Sequence, residues 1–316
     1  MSHVPPSLSV VVPVYNSEGS LEMFVQRLEP VLQAHGAPFE LIFVNDGSRD
    51  QSWSVVERLV QRHPWIRGIN MMRNYGQHNA LLCGIRAASH EVVVTMDDDL
   101  QHPPEEIPRL LERLAEGHDV VYGRPQEEQH GLWRDLASVV TKMALQAAMG
   151  VQTARHVSAF RVLRTHLREA FADFRSPFVS IDVLLTWATT RFSAVLVRHD
   201  LRAVGQSNYT FRKLVAHAIN MITGFSVLPL QLATVLGFAC TLFGLGVLLY
   251  VLIRYFISGT SVPGFPFLAS TISIFSGAQL FTLGIIGEYL ARMHFRIMDR
   301  PSYAVRERLG PRAGAE

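Results

Sequence analysis

The sequence has little charge and almost no cysteine. Asp, Glu, Lys and Arg make up 18% of its 316 residues, below the quarter or so that is usual for soluble domains. The formal net charge of +2 argues against the basic surface of a nucleic-acid-binding protein. The two cysteines, Cys83 and Cys240, lie in regions of different polarity, so we expect no disulfide framework. The opening MSHVPPSLS lacks a basic n-region and a long apolar run, which argues against a secretory signal peptide.

The shortage of charge is concentrated in the last third of the chain. No charged residue occurs in Leu232–Ile253 or in Ser258–Gly287. A helix of roughly 20 residues crosses the hydrocarbon core of a bilayer. The stretch 257–264 contains Gly, Ser, Thr and Pro, which suits a short turn. The sequence therefore predicts a transmembrane hairpin, and the alternative is a pair of buried core helices in a soluble domain.

Positive charge flanks this hairpin on its outer sides, whereas only Arg254 lies near the connecting turn. Such a distribution predicts that both termini are cytoplasmic. Glu288 and Arg292 are four residues apart and are expected to pair where the second helix leaves the membrane. The outer charges are Arg202, Arg212, Lys213, Arg292, Arg296, Arg300, Arg306 and Arg308.

A segment just before the hairpin has the apolar spacing of a helix. Apolar residues recur on one face from Phe211 to Ile222, with Arg212 and Lys213 beside them. We interpret the segment as a helix in the plane of the membrane interface, and the alternative is a helix packed on the soluble part. The chain then divides into an α/β domain at 1–205, an amphipathic interfacial helix at 206–228, two transmembrane helices at 229–292 and a cytoplasmic tail at 293–316.

The first two hundred residues alternate strand and helix patterns. Amphipathic helix patterns at 20–34 and 77–88 separate apolar runs, and Ser48 with Gln51 resembles a capping box that opens a further helix. Continuous apolar strands between amphipathic helices predict an α/β fold with a mostly parallel sheet. The predicted strands are Leu8–Val14, Glu40–Val44, Ile66–Met71, Val92–Met96 and Val120–Gly123.

Polar residues cluster where three of these strands end. The clusters are the segments 13–16 (PVYN), 45–48 (NDGS) and 97–99 (DDD). In open α/β sheets, ligands bind beyond the carboxyl ends of the strands. We therefore expect the three clusters to converge on one cleft.

The acidic cluster is the strongest chemical signal. In extended backbone, Asp97 and Asp99 point the same way, and their carboxylates repel unless a cation lies between them. Gln101 follows and adds a neutral oxygen. Hard oxygen ligands favour Mg²⁺ or Mn²⁺, which also bind phosphate oxygens. The sequence predicts a site for one of these ions, and the alternative is an ordinary solvated loop.

At these residues the sequence resembles the family 2 glycosyltransferases of the GT-A fold. The resemblance is closest to the enzymes that glycosylate polyprenyl phosphates, and it covers nearly the whole chain, including the C-terminal hairpin. The segments that carry it are VVPVYNSEGSL, LIFVNDGSRD, MRNYGQHNALLCGI, VVTMDDDLQHPPEEIPRLL, GQSNYTFRKL and LGIIGEYLARM.

The resemblance implies residues for the donor, a nucleotide sugar, with UDP as the nucleotide that the family favours. Pro13, Tyr15 and Asp46 would hold the nucleotide base. Asn16 and Glu18 belong to the same donor-binding loop, in which the family commonly places its first acid one position earlier than Glu18.

The same resemblance implies the catalytic and metal-binding residues. Asp97 would face the ribose and the diphosphate, while Asp99 and Gln101 would ligate the metal ion. A divalent ion would neutralise the departing diphosphate. Transfer with inversion at the anomeric carbon also follows from the resemblance alone.

The acceptor implied by the resemblance is a polyprenyl phosphate such as undecaprenyl phosphate. Arg134 and Ser138 match the arginine and serine that hold the acceptor phosphate in the family, and Arg124 would add to that site. Guanidinium groups suit a phosphate because they donate several charge-assisted hydrogen bonds. The alternative for Arg124 is a surface charge without a role.

The sequence departs from the family pattern in the segment that normally carries an acid. Arg155 stands where the acid is expected, and Asn208 replaces the usual lysine beside the donor-binding Ser207. A hydroxyl acceptor needs a general base, whereas a phosphate monoester, with a second pKa of about 6, is already mostly ionised at neutral pH. Asp182 is a candidate replacement base, and its alternative role is helix capping or a salt bridge.

The sequence therefore predicts an inverting, metal-dependent transferase at the bacterial inner membrane, with its catalytic domain in the cytoplasm. Two alternatives remain open: transfer to a glycan or lipid hydroxyl, and a non-catalytic membrane subunit that helps sugar-linked lipids to cross. The sugar, the nucleotide base and the lipid length are left open. A homo-oligomer is equally left open.

Overall fold

The computed structural model describes residues 4–125, 157–200, 228–258 and 264–311. These residues form two compact units. One is an α/β unit, to which the chain returns at Asp299. The other is a helical hairpin that ends at Met298.

The α/β unit is built on one sheet of eight strands in the order β7-β5-β6-β4-β1-β2-β3-β8. The first five strands match the sequence-based predictions closely, whereas the last three were not predicted. The strands are β1 (Leu8–Val14), β2 (Phe39–Asn45), β3 (Ile66–Met71), β4 (Val92–Thr95), β5 (Val120–Pro125), β6 (Arg161–Arg164), β7 (Phe192–Val197) and β8 (Val305–Leu309).

Six of the eight strands run in the same direction. Strand β6 runs against its neighbours β4 and β5, and β8 runs against β3 at one edge. The prediction of a mostly parallel sheet is therefore confirmed. Because β1 to β5 and β7 share one direction, their carboxyl ends lie along one edge of the sheet.

Helices cover both faces of the sheet. Alternate strand residues point to opposite faces, so Val10 packs with helices α1, α2 and α4 on one side, and Val11 packs with α3 and α5 on the other. The helices of this unit are α1 (Leu21–His35), α2 (Ser52–Arg62), α3 (Gln77–Ala87), α4 (Ile107–Ala115) and α5 (Ile181–Ala188).

The predicted capping box at Ser48 and Gln51 is wrong. Helix α2 begins at Ser52, whose N–H and hydroxyl both donate to Asp50 Oδ1, at 3.1 and 2.6 Å. The Ser48 hydroxyl donates instead to Asn45 Oδ1 at 2.5 Å. The Asp50 carboxylate therefore accepts the hydrogen bonds at the start of α2, and Ser48 bonds within the loop between β2 and α2.

The second unit consists of helices α6 (Leu228–Ser258) and α7 (Phe265–Ile297). Their spans Pro229–Arg254 and Ile274–His294 are long and apolar enough to cross a membrane, and neither is buried. Core helices of a soluble domain would be mostly buried, so that alternative fails. The expected pair is present, because Arg292 donates to Glu288 Oε1 at 2.7 Å. The predicted interfacial helix lies outside the described residues apart from Leu228, which begins α6.

The chain returns to the sheet after the hairpin. Helix α7 continues to Ile297, and β8 then pairs antiparallel with β3. The segment 293–316, which was expected to be a tail, thus contains an edge strand of the α/β unit.

Gly84 sets the distance between helix α3 and the sheet. A Cβ at this position would lie 2.2 Å from Val11 Cγ1 and 3.2 Å from Val44 Cγ2. We expect Gly84→Ala to push α3 away from the sheet and to lower the free energy of unfolding by roughly 1–3 kcal/mol, measured by urea unfolding in detergent. Ala87→Gly in the same helix is the control, with an expected loss below about 1 kcal/mol. Equal effects of the two changes would contradict the close approach.

Candidate functional site

The loops that follow β1 and β2 are joined to each other at the carboxyl edge of the sheet. Asn16, with a left-handed φ of 55°, accepts a hydrogen bond from the Arg49 N–H at 2.8 Å and donates its own N–H to Ser48 Oγ at 3.0 Å. Glu18 Oε2 accepts the Gln51 N–H at 2.8 Å. Two of the predicted donor-binding residues, Asn16 and Glu18, therefore hold the two loops together.

Asp46 fixes a third loop, 72–77, which follows β3. Its two carboxylate oxygens accept the backbone N–H groups of Tyr75 and Gly76, at 2.6 and 2.8 Å. Gly47 lets this loop approach closely, because a Cβ there would lie 2.6 Å from the backbone carbon of Arg73. Asp46 was predicted to hold the nucleotide base, and in the structure its carboxylate holds this loop.

Asp46 is only 3% exposed, and its burial dominates its titration. Burial raises the pKa of this carboxyl from 3.8 to about 6, although the N–H groups of Tyr75 and Gly76 lower it. The ionised form therefore costs free energy in the folded protein, and the two N–H groups offset part of that cost.

The acidic turn 97–99 lies where β4 ends, and its carboxylates have different surroundings. Gln77 Nε2, at the start of α3, donates to Asp97 Oδ1 at 2.7 Å. Asp99 Oδ1 accepts the Gln101 N–H of the same turn at 3.1 Å, and Asp98 lies beside the Ser17 hydroxyl, which donates to the Tyr15 carbonyl at 3.2 Å. The structure thus brings the predicted residues Asp97, Asp99 and Gln101 together in one turn.

Leu100 turns the chain sharply just after the three acids. Its φ is +60°, a region that costs a non-glycine residue about 1–3 kcal/mol and that is found at functional sites. The Leu100 side chain is 2% exposed and belongs to the core under α1 and α4. Apolar burial of this side chain offsets the strain and fixes the exit of the turn.

The three acids crowd one another in a way that favours a cation. Burial, and then the charges of Asp97 and Asp99, raise the pKa of Asp98 to about 7, while the Ser17 hydroxyl lowers it. The buried Asp98 Oδ2 has no hydrogen-bond partner among the described residues. Within the described part of the chain, no three His, Cys, Asp or Glu side chains are arranged to hold a metal. The donor set suits Mg²⁺ or Mn²⁺, which bind to one or two carboxylates and take further oxygens from substrate phosphates.

The chain that follows β7 also reaches the acidic turn. The Asp200 N–H donates to the Gln101 carbonyl at 2.9 Å. The ring centroids of His199 and His102 are 5.2 Å apart. Burial, and then the charge of His199, lower the pKa of His102 to about 4, although Asp99 raises it. His102 is therefore neutral at physiological pH.

Asp182 lies in a buried cluster beside this edge. Tyr122 of β5 and Arg161 of β6 are paired in the sheet, and both side chains meet the Asp182 carboxylate from the first turn of α5. The Tyr122 hydroxyl donates to Asp182 Oδ1 at 3.0 Å, and the Arg161 guanidinium forms an ion pair with the same oxygen. Asp182 is 4% exposed, and the structure gives it the salt bridge that was the alternative to a general base.

The remaining predicted residues fall into two groups. Pro13 is buried in β1, Tyr15 follows β1 with 39% exposure, and Arg124 lies at the carboxyl end of β5 beside Leu196 of β7. Arg134, Ser138, Arg155 and Ser207 lie outside the described residues.

Loop 72–77 holds residues of the site that were not predicted from the sequence. Besides Gln77, this loop carries Arg73, whose guanidinium lies 4.5 Å from the centre of the Tyr75 ring. The available signal was the segment MRNYGQH, which was among those that carried the family resemblance. No role was predicted for its individual residues. The contact between Gln77 and Asp97 joins positions 20 residues apart, so a local pattern does not reveal it.

Comparison with known proteins identifies relatives along nearly the whole chain. Residues 9–167 match the family described as Glycosyl transferase family 2. The undecaprenyl-phosphate 4-deoxy-4-formamido-L-arabinose transferase of Pseudomonas aeruginosa is 34% identical over 94% of this chain and 89% of its own. The enzyme of the same name from Pectobacterium carotovorum is 34% identical over 95% of this chain and 93% of its own.

A solved structure shows the same fold. Glucosyl-3-phosphoglycerate synthase from Mycobacterium tuberculosis, in complex with Mn²⁺, UDP-glucose and phosphoglyceric acid, matches with a TM-score of 0.52 and 18% identity. The match covers 69% of this chain and 78% of the synthase. The expected GT-A fold is thereby confirmed.

Replacing Asp46 with Asn removes its titration. Because the folded pKa is raised, the stability contributed by this group is complete below about pH 4 and is lost as the pH rises through about 6. We expect the free energy of unfolding of the wild type, relative to Asp46→Asn, to fall by up to roughly 3 kcal/mol between about pH 4 and 7. Urea unfolding of the detergent-solubilised chain measures this difference. The exposed Asp173→Asn is the control, and a difference that stays constant with pH would contradict the raised pKa.

Proposed function

Because this chain belongs to glycosyl transferase family 2, we propose that it transfers a sugar from a nucleotide diphosphate to undecaprenyl phosphate. The single observation that carries this proposal is the acidic turn 97–99 at the carboxyl edge of the sheet, where Asp97 accepts from Gln77 and Asp99 accepts from the Gln101 N–H. The names of the relatives support the acceptor, since both are undecaprenyl-phosphate transferases. The donor is a UDP-sugar by analogy with the UDP-glucose complex of the synthase.

The cofactor is a divalent cation, Mg²⁺ or Mn²⁺. Asp97, Asp99 and Gln101 would hold it, and Mn²⁺ is present in the structure of the synthase. When bound, the ion neutralises the charge that develops on the departing diphosphate. Gln77 orients Asp97 through their hydrogen bond, and Tyr15, exposed at the end of β1, is available to the nucleotide base.

The proposed binding site for the acceptor phosphate depends on positively charged side chains. We assign Arg134 and Ser138 to the acceptor phosphate, with Arg124 at the carboxyl end of β5 as a further donor. Guanidinium groups hold a phosphate through charge-assisted hydrogen bonds. The phosphate oxygen then attacks the anomeric carbon, and the bond from that carbon to the nucleotide diphosphate breaks with inversion.

The burial of Asp182 favours a phosphate over a hydroxyl acceptor. A carboxylate that is 4% exposed and already accepts from Arg161 and Tyr122 is poorly placed to take a proton from a substrate. A phosphate monoester needs no such base because it is largely dianionic at neutral pH. The reaction then proceeds without Asp182 as a base.

The connections of the hairpin support one orientation in the inner membrane. The chain leaves the α/β unit before α6 and re-enters it at Asp299 after α7, so both ends of the hairpin face the same compartment. The surplus of Arg and Lys outside the hairpin supports the cytoplasm as that compartment. Donor, catalytic unit and both termini are then cytoplasmic.

The test of the function is a transfer assay with defined substrates. Membranes that contain the chain are incubated with undecaprenyl phosphate, Mn²⁺ and a panel of UDP-, GDP- and dTDP-sugars, and the lipid extract is analysed by mass spectrometry. We expect one sugar to be added to the lipid phosphate. A sugar found only on a glycan or lipid hydroxyl, or no transfer from any donor, would overturn the proposal.

Asp99→Ala tests the metal site. Loss of this carboxylate should reduce transfer by roughly 10²–10³-fold, the range found when a group that stabilises transition-state charge is removed. It should also weaken Mn²⁺ binding, measured by electron paramagnetic resonance without substrate. The exposed Asp173→Ala should change neither quantity, and normal transfer by Asp99→Ala in the presence of a chelator would refute the metal assignment.

Asp182→Asn tests the role of the buried ion pair. The change leaves the Arg161 guanidinium buried without its carboxylate, so we expect destabilisation of roughly 3 kcal/mol or more, measured by thermal unfolding. Transfer measured below the unfolding temperature should keep the pH dependence of the wild type. Tyr122→Phe keeps the ion pair and should cost only about 1 kcal/mol. Loss of a titration step in the rate of Asp182→Asn would instead identify Asp182 as a base.

A further inference from the structure

The residues that follow the hairpin contact two loops near the candidate site. We call the segment Asp299–Arg306 the strap. It begins directly after the hairpin unit and ends with Val305 and Arg306, the first two residues of β8 at the sheet edge. None of its residues belongs to the motifs from which the site was predicted.

The first contact of the strap is with the segment that precedes α5. Ser302 is 4% exposed, and its hydroxyl oxygen accepts the Ser176 N–H at 3.2 Å. Asp299 and Arg175 also form an ion pair at 2.6 Å, but both side chains are 60% exposed. Exposed pairs contribute little, so the buried Ser302 contact is the significant one.

The second contact is with the start of loop 72–77. The Met72 N–H donates to the Ala304 carbonyl at 2.9 Å, and the Arg306 guanidinium donates to the Met72 carbonyl at 3.4 Å. The register between β3 and β8 shifts between Asn70 and Met71, where the strand gives way to the loop. The strap thus holds the N–H and the carbonyl of the residue from which the loop departs.

The far end of the same loop reaches the acidic turn. Asp46 binds the loop in its middle, at Tyr75 and Gly76, and Gln77 donates to Asp97 at its end. Hydrogen bonds therefore hold the loop at its start to the strap, in its middle to Asp46 and at its end to Asp97, a residue of the candidate site.

Arg306 differs in its exposure from the residues just before it in the strap. Tyr303 and Val305 are half-buried and pack against the apolar core of the sheet, so they contribute to stability. Arg306 is exposed and is not part of that core, so core packing does not account for its hydrogen bond to the Met72 carbonyl.

We propose that the strap is a positioning element of the donor site, which acts on Asp97 through loop 72–77. The proposal rests on the proposed function, because it takes the acidic turn as the place where the nucleotide diphosphate binds. Ser302, Ala304 and Arg306 touch no substrate and act through the loop.

Two variants and one control test this proposal in the full-length, detergent-solubilised chain. In the first, a Gly/Ser sequence of equal length replaces Ser302–Arg306, and the second is Arg306→Ala. Glu307→Ala, at the adjacent exposed position outside the strap, is the control. The measurements are hydrogen exchange of residues 72–77, the dissociation constants of UDP, GDP and dTDP with Mn²⁺, and the thermal unfolding midpoint.

We expect Arg306→Ala to speed exchange in residues 72–77 and to weaken nucleotide binding about fivefold, the equivalent of one net hydrogen bond. Its unfolding midpoint should stay within about 2 °C of the wild type, since surface changes rarely exceed about 0.5 kcal/mol. The Gly/Ser replacement should weaken binding further, and Glu307→Ala should match the wild type.

Unchanged exchange in residues 72–77 of Arg306→Ala would overturn the proposal, and so would faster exchange with unchanged nucleotide affinity. In Arg306→Ala, faster exchange throughout the sheet together with a lower midpoint would also overturn it, because it would show a merely structural role. A wild type that binds none of the three nucleotides would contradict the proposed function instead. The hydrogen-exchange measurement needs no nucleotide. Even in that case it shows whether the strap stabilises residues 72–77.

Discussion

The placement of three adjacent carboxylates, those of Asp97, Asp98 and Asp99, at the carboxyl edge of the sheet is the constraint on which the candidate site depends. Burial, and then the charges of Asp97 and Asp99, raise the pKa of Asp98 to about 7, so ionisation of this carboxyl costs free energy. Gln77 donates to Asp97, and the buried side chain of Leu100 fixes the exit of the turn. Such a turn suits a cation, whose charge would offset that cost.

The residues around this turn come from loops that are far apart in the chain. The parallel arrangement of the central strands brings the loops after β1, β3 and β4 to one edge, and the side chains between the loops then determine their positions. Asp46 has such a role, since its carboxylate is occupied by backbone N–H groups. Residues that a motif associates with substrate can therefore act by shaping the loops that surround the substrate.

The sequence predicted the parts of the fold that have a strong local pattern. Five apolar strands, the α/β class, the apolar hairpin and the pairing of Glu288 with Arg292 followed from periodicity and spacing. Strands β6 (RVLR) and β8 (VRERL) were missed because they are short and carry charges, and their partners lie far away in sequence. The ion pair of Asp182 with Arg161 could not be predicted from the local sequence either, because it depends on how α5 packs on the sheet. The acidic turn was foreseen, whereas the contribution of Gln77 depends on a contact between two loops.

The order of the elements along the chain has a consequence for biosynthesis. Strand β8 belongs to the sheet but is encoded after both apolar helices, so a ribosome completes it only after it has made the entire hairpin. The nascent α/β unit consequently lacks its last strand until both apolar helices have been synthesised. Until then the edge of β3 that pairs with β8 in the finished sheet has no partner strand from this part of the chain.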